Sequence, residues 1–271
     1  AVLVIFLVLL AVVMLLPIIY AVATSLKPNN ELWLFPPRFF VRNPTFKNYG
    51  GLFELMSTSW VPFTRYLFNS VVVTLAGLIL SILISTMAAF ALSKMKFRLK
   101  GPMMEINNLA LMFVATAVVI PRYLTISAIG ILDTWFAHIL PLIAMPVCLF
   151  LIKQFMDQVP DSLLEAAQLE GAGSFTIYLK IILPMVKPAI ATGAILSFQQ
   201  VWNNTETSNL FTSTESIRTL AFYMNTLSGV GTVQGQGMAA AAALIMFVPN
   251  LLLFIVSQSS VMNTMAHSGL K

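Results

Sequence analysis

Near the end of a long apolar run, the sequence Ser197-Phe198-Gln199-Gln200-Val201-Trp202-Asn203-Asn204 sets carboxamides beside aromatic rings. A carboxamide both donates and accepts hydrogen bonds, and an aromatic face packs against the C–H face of a sugar ring. Gln199, Gln200, Trp202 and Asn203 are therefore candidate lining residues of a path for a polar solute. The same residues also suit hydrogen bonding between helices and interfacial anchoring, since an amide in hydrocarbon needs a partner of some kind. Both readings describe recognition or packing rather than bond-breaking chemistry. The chain has one cysteine, Cys148, and two histidines far apart, His138 and His267. No intrachain disulfide, metal site or catalytic residue is expected from them. The phosphate-cradling pattern G-x4-G-K-[ST] does not occur, so no nucleotide site is assigned to this chain.

A second stretch, residues 165–184, interrupts two apolar runs with small and polar residues. Pro160 does not fit a helix interior, and Ser162 followed by Glu165 has the form of a capping box, so a short helix is expected to begin near Ser162. Gly171 and Gly173 supply its stop. Ser174 is expected to cap a second helix, in which Phe175, Tyr178, Leu179 and Ile182 form one apolar face until Pro184. Helix, tight turn, helix is the expected outcome. Ala166 and Ala167 leave low relief for a close approach by another protein, flanked by the charges of Glu165 and Glu170.

Glu165-Ala166-Ala167, then Gly171, then Ile181, Leu183 and Pro184 reproduce the spacing E-A-A, x3, G, x9, I-x-L-P. On this spacing and its hydropathy the chain resembles the permease subunits of bacterial ABC importers. Over nearly its full length it is similar to the carbohydrate-uptake branch, and to the smaller permease of the maltose transporter. Glu170 stands where that branch often has aspartate, and the basic N-terminal tail usual there is missing. The resemblance implies a type I importer permease fold whose helix-turn-helix, at about 157–184, couples to an ATPase. Glu165, Ala166, Ala167, Gly171, Ile181, Leu183 and Pro184 would be its coupling residues. It also implies a second permease subunit, two ATPase subunits carrying ATP and Mg, and an external solute-binding protein. No cofactor is expected in this chain.

Composition sets the environment. Of 271 residues, 58% are hydrophobic and 9% charged, against about 25% charged in ordinary soluble domains. An all-α polytopic membrane protein is expected. The formal charge of +5 does not point to nucleic acid, because the basic residues are dispersed except at Lys94, Lys96, Arg98 and Lys100. A span needs roughly 20 apolar residues, and six stretches qualify: about 1–25, 66–92, 104–122, 135–153, 185–201 and 238–258. The first lacks a basic n-region and a cleavage site, so it reads as a span rather than a leader. The missing initiating Met implies that natural N-terminal residues precede Ala1. Together the spans form one transmembrane domain over 1–271. The short basic connection 93–101 belongs in the cytoplasm by the positive-inside rule. Both termini and the 157–184 loop follow it there, in a bacterial plasma (inner) membrane.

Outside lie a first loop, about 27–65, and a last loop, about 206–237. The first is rich in proline and aromatics with no clear period, and suits either an interfacial belt or a partner contact. The second carries a glycine-rich half running from Gly229 to Gly237; it suits a flexible loop, and in the maltose-type relative the corresponding loop reaches into the sugar-binding protein. Gly77, Ser81, Ser85 and Ala89, four apart, form a small-residue stripe suited to close helix packing or to a pore face. Pro121, Gly130 and Asp133 mark a short outer connection. Arg122 is expected to snorkel to the interface, His138 to be a hydrogen-bonded structural group, and Glu105 to be interfacial. The function expected is a permease subunit coupling ATP hydrolysis on partner subunits to alternating access for a sugar or oligosaccharide. The alternatives are a stand-alone secondary transporter or channel, which needs ionisable residues near midplane, and a membrane enzyme.

Overall fold

Lipid offers no water to backbone N–H and C=O groups, so long apolar runs without alternation must bond within themselves as helices. The computed structural model describes residues 2–58, 60–113, 115–228 and 233–268, and no strand occurs among the described residues. Three of the expected spans are single helices, Leu3–Ser25, Phe63–Lys94 and Gly235–Gln258. The other three expected stretches fall on pairs of shorter helices, each a broken span or a re-entrant turn by length and composition: Lys100–Met112 with Thr116–Ile129, Trp135–Ile143 with Pro146–Asp157, and Ser174–Met185 with Lys187–Leu210. The second pair bends by 41° and the third by 81°. Proline causes both bends. Pro146 opens one helix after an extended Met145, and Pro188 stands in the first turn of another, and in each case the ring removes an N–H and restricts the residue before it.

Contacts gather in two compact units, Ala1–Ser70 with Thr214–Pro249, and Val71–Ser213 with Asn250–Lys271. In the first unit residues 3–20 of the opening helix are exposed and uniformly apolar, as a lipid-facing or partner-facing span would be. Its C-terminal carbonyls are closed by Asn48, whose Nδ2 donates to Ser25 O and Lys27 O at 2.8 Å each. The glutamate Glu31 folds the next loop on itself by accepting from the backbone N–H groups of Arg42 at 3.0 Å and Asn43 at 2.9 Å. The connection 27–65 is thus more ordered than its sequence indicates. Lys47–Thr58 is a helix whose Asn48, Leu52 and Met56 are buried, a period hidden by the glycine pair Gly50-Gly51. A Cβ at Gly237 would lie 2.6 Å from Asn48, so only glycine lets the last long helix approach there.

The described part of the connection 206–237 is likewise built rather than slack. In this unit Tyr66 Oη donates to Glu215 Oε1 at 2.8 Å and its ring stacks on Tyr223 at 4.2 Å. Asn69 Nδ2 donates to Ser216 O and Arg218 O, and Leu220 N donates to Ser70 Oγ. Leu220–Ser228 is a helix. Gly229 and Gly231 lie outside the described residues, whereas Gly235 and Gly237 are helical, not loop.

The core of the second unit is the cluster Ala89, Phe90, Cys148, Ile152, Met156, Ala167, Ile177, Tyr178, Ile182 and their neighbours. The small-residue stripe makes it dense. A Cβ at Gly77 would meet Val201 at 3.2 Å, Ser81 Oγ donates to Ser197 Oγ at 3.1 Å, and Ala89 is fully buried. The stripe therefore packs the helix Phe63–Lys94 against Lys187–Trp202. Gly193 on the latter helix is equally constrained, since a Cβ there would stand 2.7 Å from Cys148 Sγ. Gly193→Ala is expected to destabilise by about 1–3 kcal/mol, the usual cost of overpacking, seen as a lower thermal inactivation temperature in detergent. Adding Cys148→Ala should recover most of that loss; a double variant no better than Gly193→Ala would place the constraint elsewhere.

Candidate functional site

The helix-turn-helix expected at 157–184 is present among the described residues, with altered caps. Its first helix is Asp161–Leu169, with Pro160 at the N-cap and no side-chain cap bond. The capping box at Ser162 and Glu165 does not form, because the extended backbone of Pro160 already starts the helix one residue earlier. Asp161 instead places an acid in the first turn, favourable to the helix dipole. At the other end Glu170 is the C-cap and Gly171 adopts φ +84°. Gly171 N donates to Gln168 O at 3.0 Å and Ala172 N to Ala167 O at 2.9 Å, the pair of bonds that defines a Schellman stop. The expected stop at Gly171 is correct. Gly173, not Ser174, is the N-cap of the following helix Ser174–Ile177.

The second helix departs further from expectation. After Ile177 the chain takes a π turn, Tyr178–Ile182, and continues through Leu183–Met185 with Pro184 in its first turn. Each π turn carries an extra residue, which rotates the buried face. Ile177, Tyr178 and Ile182 are buried, while Phe175 is 67% and Leu179 45% exposed. The expected face of Phe175, Tyr178, Leu179 and Ile182 is corrected accordingly, and Pro184 does not end the helix. Of the coupling candidates, Ala167, Ile181 and Leu183 come together on the core cluster. Glu165, Ala166, Gly171 and Pro184 stay at the surface. Leu163, Leu169 at 90% exposure, and Phe175 are exposed on the same two helices, and of these only Phe175 was expected to lie on an apolar face.

What fixes this knuckle is the basic connection 93–101. Lys94 Nζ donates to Val159 O at 2.6 Å and pairs with Asp161 Oδ1 at 2.7 Å. Ser93 Oγ donates to Asp157 Oδ1 at 2.6 Å, and Lys153 pairs with Asp157 Oδ2 at 2.6 Å. The Lys94 ammonium holds the Asp161 carboxyl below the ordinary carboxylate range, first through its hydrogen bond and then through its charge. Because the folded value is lowered, this tie is present above the ordinary value and is lost only as pH falls through the lowered one. Opposite charge in both loops was the one available cue to this contact.

The other candidate site ends the helix Lys187–Trp202. Gln199, Gln200 and Asn203 are exposed, and Asn203 Oδ1 accepts from Asn250 Nδ2 at 3.3 Å. Trp202 is buried, its ring stacked on Phe198 at 5.7 Å and 10°. The structure thus brings three of the four candidates to one face and turns Trp202 to another. Arg122 does not merely snorkel: it pairs with Glu206 Oε1 at 2.6 Å. His138 is fully buried, with Nδ1 2.9 Å from Thr207 Oγ1, the structural role expected of it.

The family model for the inner membrane component of binding-protein-dependent transport systems matches residues 77–260. The chain is 29% identical to the sulfoquinovosyl glycerol transport system permease protein SmoH of Agrobacterium fabrum, over 95% of this chain and 89% of that one. It is 27% identical to the trehalose transport system permease protein SugB of Mycobacterium tuberculosis, over 95% and 92%. A chain of a bacterial ABC transporter involved in import of the acidic polysaccharide alginate shares the fold, with a TM-score of 0.80 at 22% identity, covering 95% of this chain and 94% of that one.

The contacts of Lys94 rank two substitutions. Asp161→Asn removes an ion pair whose acid is 76% exposed, and solvent screening is expected to leave stability nearly unchanged. Lys94→Met also strips Val159 O of its donor and is expected to cost about 1–3 kcal/mol. Hydrogen exchange of segment 157–171 should rise more in Lys94→Met than in Asp161→Asn; equal protection in both variants would contradict the anchoring role of Lys94.

Proposed function

The chain belongs to the family of inner membrane components of binding-protein-dependent transport systems, and we propose that it is the permease subunit of an ATP-driven importer for a sugar or oligosaccharide. The observation that carries the proposal is the knuckle at 161–185, a rigid element that leaves Leu169 and Phe175 exposed beside the coupling spacing Glu165 to Pro184. Exposed apolar side chains of this kind mark a surface for a partner. Its partner is an ATPase subunit; two such subunits, with ATP and Mg bound to them, a second permease chain and an external binding protein complete the transporter. This chain contributes no catalysis. The saccharide class is supported by the relatives, which carry sulfoquinovosyl glycerol and trehalose by name, and by the exposed amides of Gln199, Gln200 and Asn203.

Orientation follows from the Lys94 contacts, because a loop with four cations and the knuckle that it grips must lie on the same side. The positive-inside rule makes that side the cytoplasm, and six crossings then leave both termini there. Closure of the ATPase pair would push the knuckle as one body, since the Schellman stop and the core cluster join its two helices. The push reaches the helix Lys187–Trp202 across the proline break and alternates access to the amide face.

Gly171 tests the coupling. Its φ of +84°, with open space where a Cβ would lie, means that a substitution there costs conformational strain of about 1–2 kcal/mol. Gly171→Val in the assembled transporter is expected to keep ATP hydrolysis while losing most uptake, whereas Gly173→Ala, at a negative φ, should transport normally. Normal uptake by Gly171→Val would end the lever model. A saccharide panel scored by stimulated ATPase activity checks the cargo, and Gln200→Ala should weaken that stimulation. Transport by this chain alone would favour a stand-alone transporter.

A further inference from the structure

The strip Lys94-Met95-Lys96-Phe97-Arg98-Leu99-Lys100 alternates cations with apolar side chains. It begins at the last residue of the long helix Phe63–Lys94. The four cations are not equivalent. Lys94 is consumed by Val159 O and Asp161, and Lys100 Nζ donates to Ser93 O at 2.9 Å. The acids facing the strip are consumed too, Asp161 by Lys94 and Asp157 by Lys153 and Ser93. Lys96 and Arg98 are exposed and make no hydrogen bond or ion pair among the described residues. Between them Met95, Phe97 and Leu99 are 44%, 39% and 63% exposed.

A free phosphate or a soluble polyanion would use the two cations and leave the three apolar side chains in water. A protein surface is served by the knuckle's own exposed Leu163, Leu169 and Phe175. An anionic leaflet uses both kinds of group at once. The cations meet headgroup phosphates while Phe97, Leu99 and Met95 enter the acyl boundary, next to the end of the apolar helix Phe63–Lys94. We propose that residues 95–99 form an anionic phospholipid site, with Lys96 and Arg98 as the phosphate-binding pair. Lys94 and Lys100 hold the strip's ends to the protein, so lipid held there braces the anchor of the 157–169 segment. The proposal rests on the membrane placement given above but not on the identity of the cargo.

The test uses the full chain in nanodiscs of phosphatidylcholine alone or with phosphatidylglycerol, and native mass spectrometry to count retained lipid. Two juxtamembrane cations contribute a preference of about 30-fold for the anionic lipid, about fivefold each. Lys96→Gln with Arg98→Gln is expected to abolish that preference, and Lys96→Arg with Arg98→Lys to keep it. A preference that falls by less than about fivefold in the glutamine variant overturns the site, as does equal loss in the charge-preserving variant. Loss of bound ATPase subunit with unchanged lipid retention also overturns it, in favour of a protein contact. Solute-stimulated ATP hydrolysis, measured in parallel on the assembled transporter, reports on the permease assignment separately.

Discussion

The second unit depends on how closely two helices approach without side chains between them. Gly77 and Ser81 present almost bare backbone to Val201 and Ser197 of the helix Lys187–Trp202, and Gly193 on that helix leaves room for Ile82 of Phe63–Lys94 and for Cys148 of Pro146–Asp157. In lipid, apolar side chains gain little by leaving one hydrocarbon for another, so dispersion at short range and a few interhelical hydrogen bonds must hold such a pair. The Ser81 to Ser197 bond, and Ser197 Oγ donating onward to Met145 Sδ at 2.9 Å, fix the register of that contact. Helices locked at this distance slide poorly and tilt as a body.

That rigidity gives the knuckle its consequence. Its two short helices are too small to be stable alone. They persist because Ala167, Ile177, Tyr178 and Ile182 enter the same buried cluster as Ala89 and Ile152, and because Tyr178 Oη and Thr86 Oγ1 lie 2.8 Å apart. The Lys94 tie adds a hydrogen bond to a carbonyl that would otherwise face a protein wall. The knuckle is thus tied to the long helix Phe63–Lys94 at Thr86, at Ala89 and at Lys94 rather than at one hinge.

Hydropathy made the spans legible, since nothing but burial in lipid or protein explains runs such as residues 3–20. Glycine made the stop at Gly171 legible, because a positive φ leaves few other residues. What the sequence hid was set by partners far away in the chain. Lys94 with Asp161, Arg122 with Glu206, and Tyr66 with Glu215 are each more than 60 residues apart, and no local period encodes them. The π turn at Tyr178–Ile182 was hidden for a different reason: every residue in it is an ordinary helix former, and only the packing of Ile177 in place of Phe175 makes the extra residue worthwhile. Averaging over a hydropathy window also ran across Pro146 and Pro188, which shortened the helices without interrupting the apolar composition.

The end of Lys187–Trp202 shows how helical geometry divides a single motif into two roles. Positions 199, 200 and 203 share one face, and 198 and 202 share another, so amides and aromatic rings adjacent in sequence do not converge. Trp202 is buried and stacks one face on Phe198, which withdraws the Trp202 ring from a sugar's C–H face. Its effect is mechanical, a stiff last turn that holds the amide face in place. On the proposed reading, a solute path formed here would offer the amides of Gln199, Gln200 and Asn203 rather than the Trp202 ring. Such a division suits a path rather than a tight site, because amides exchange partners readily with water while a ring clamp would hold the solute in place.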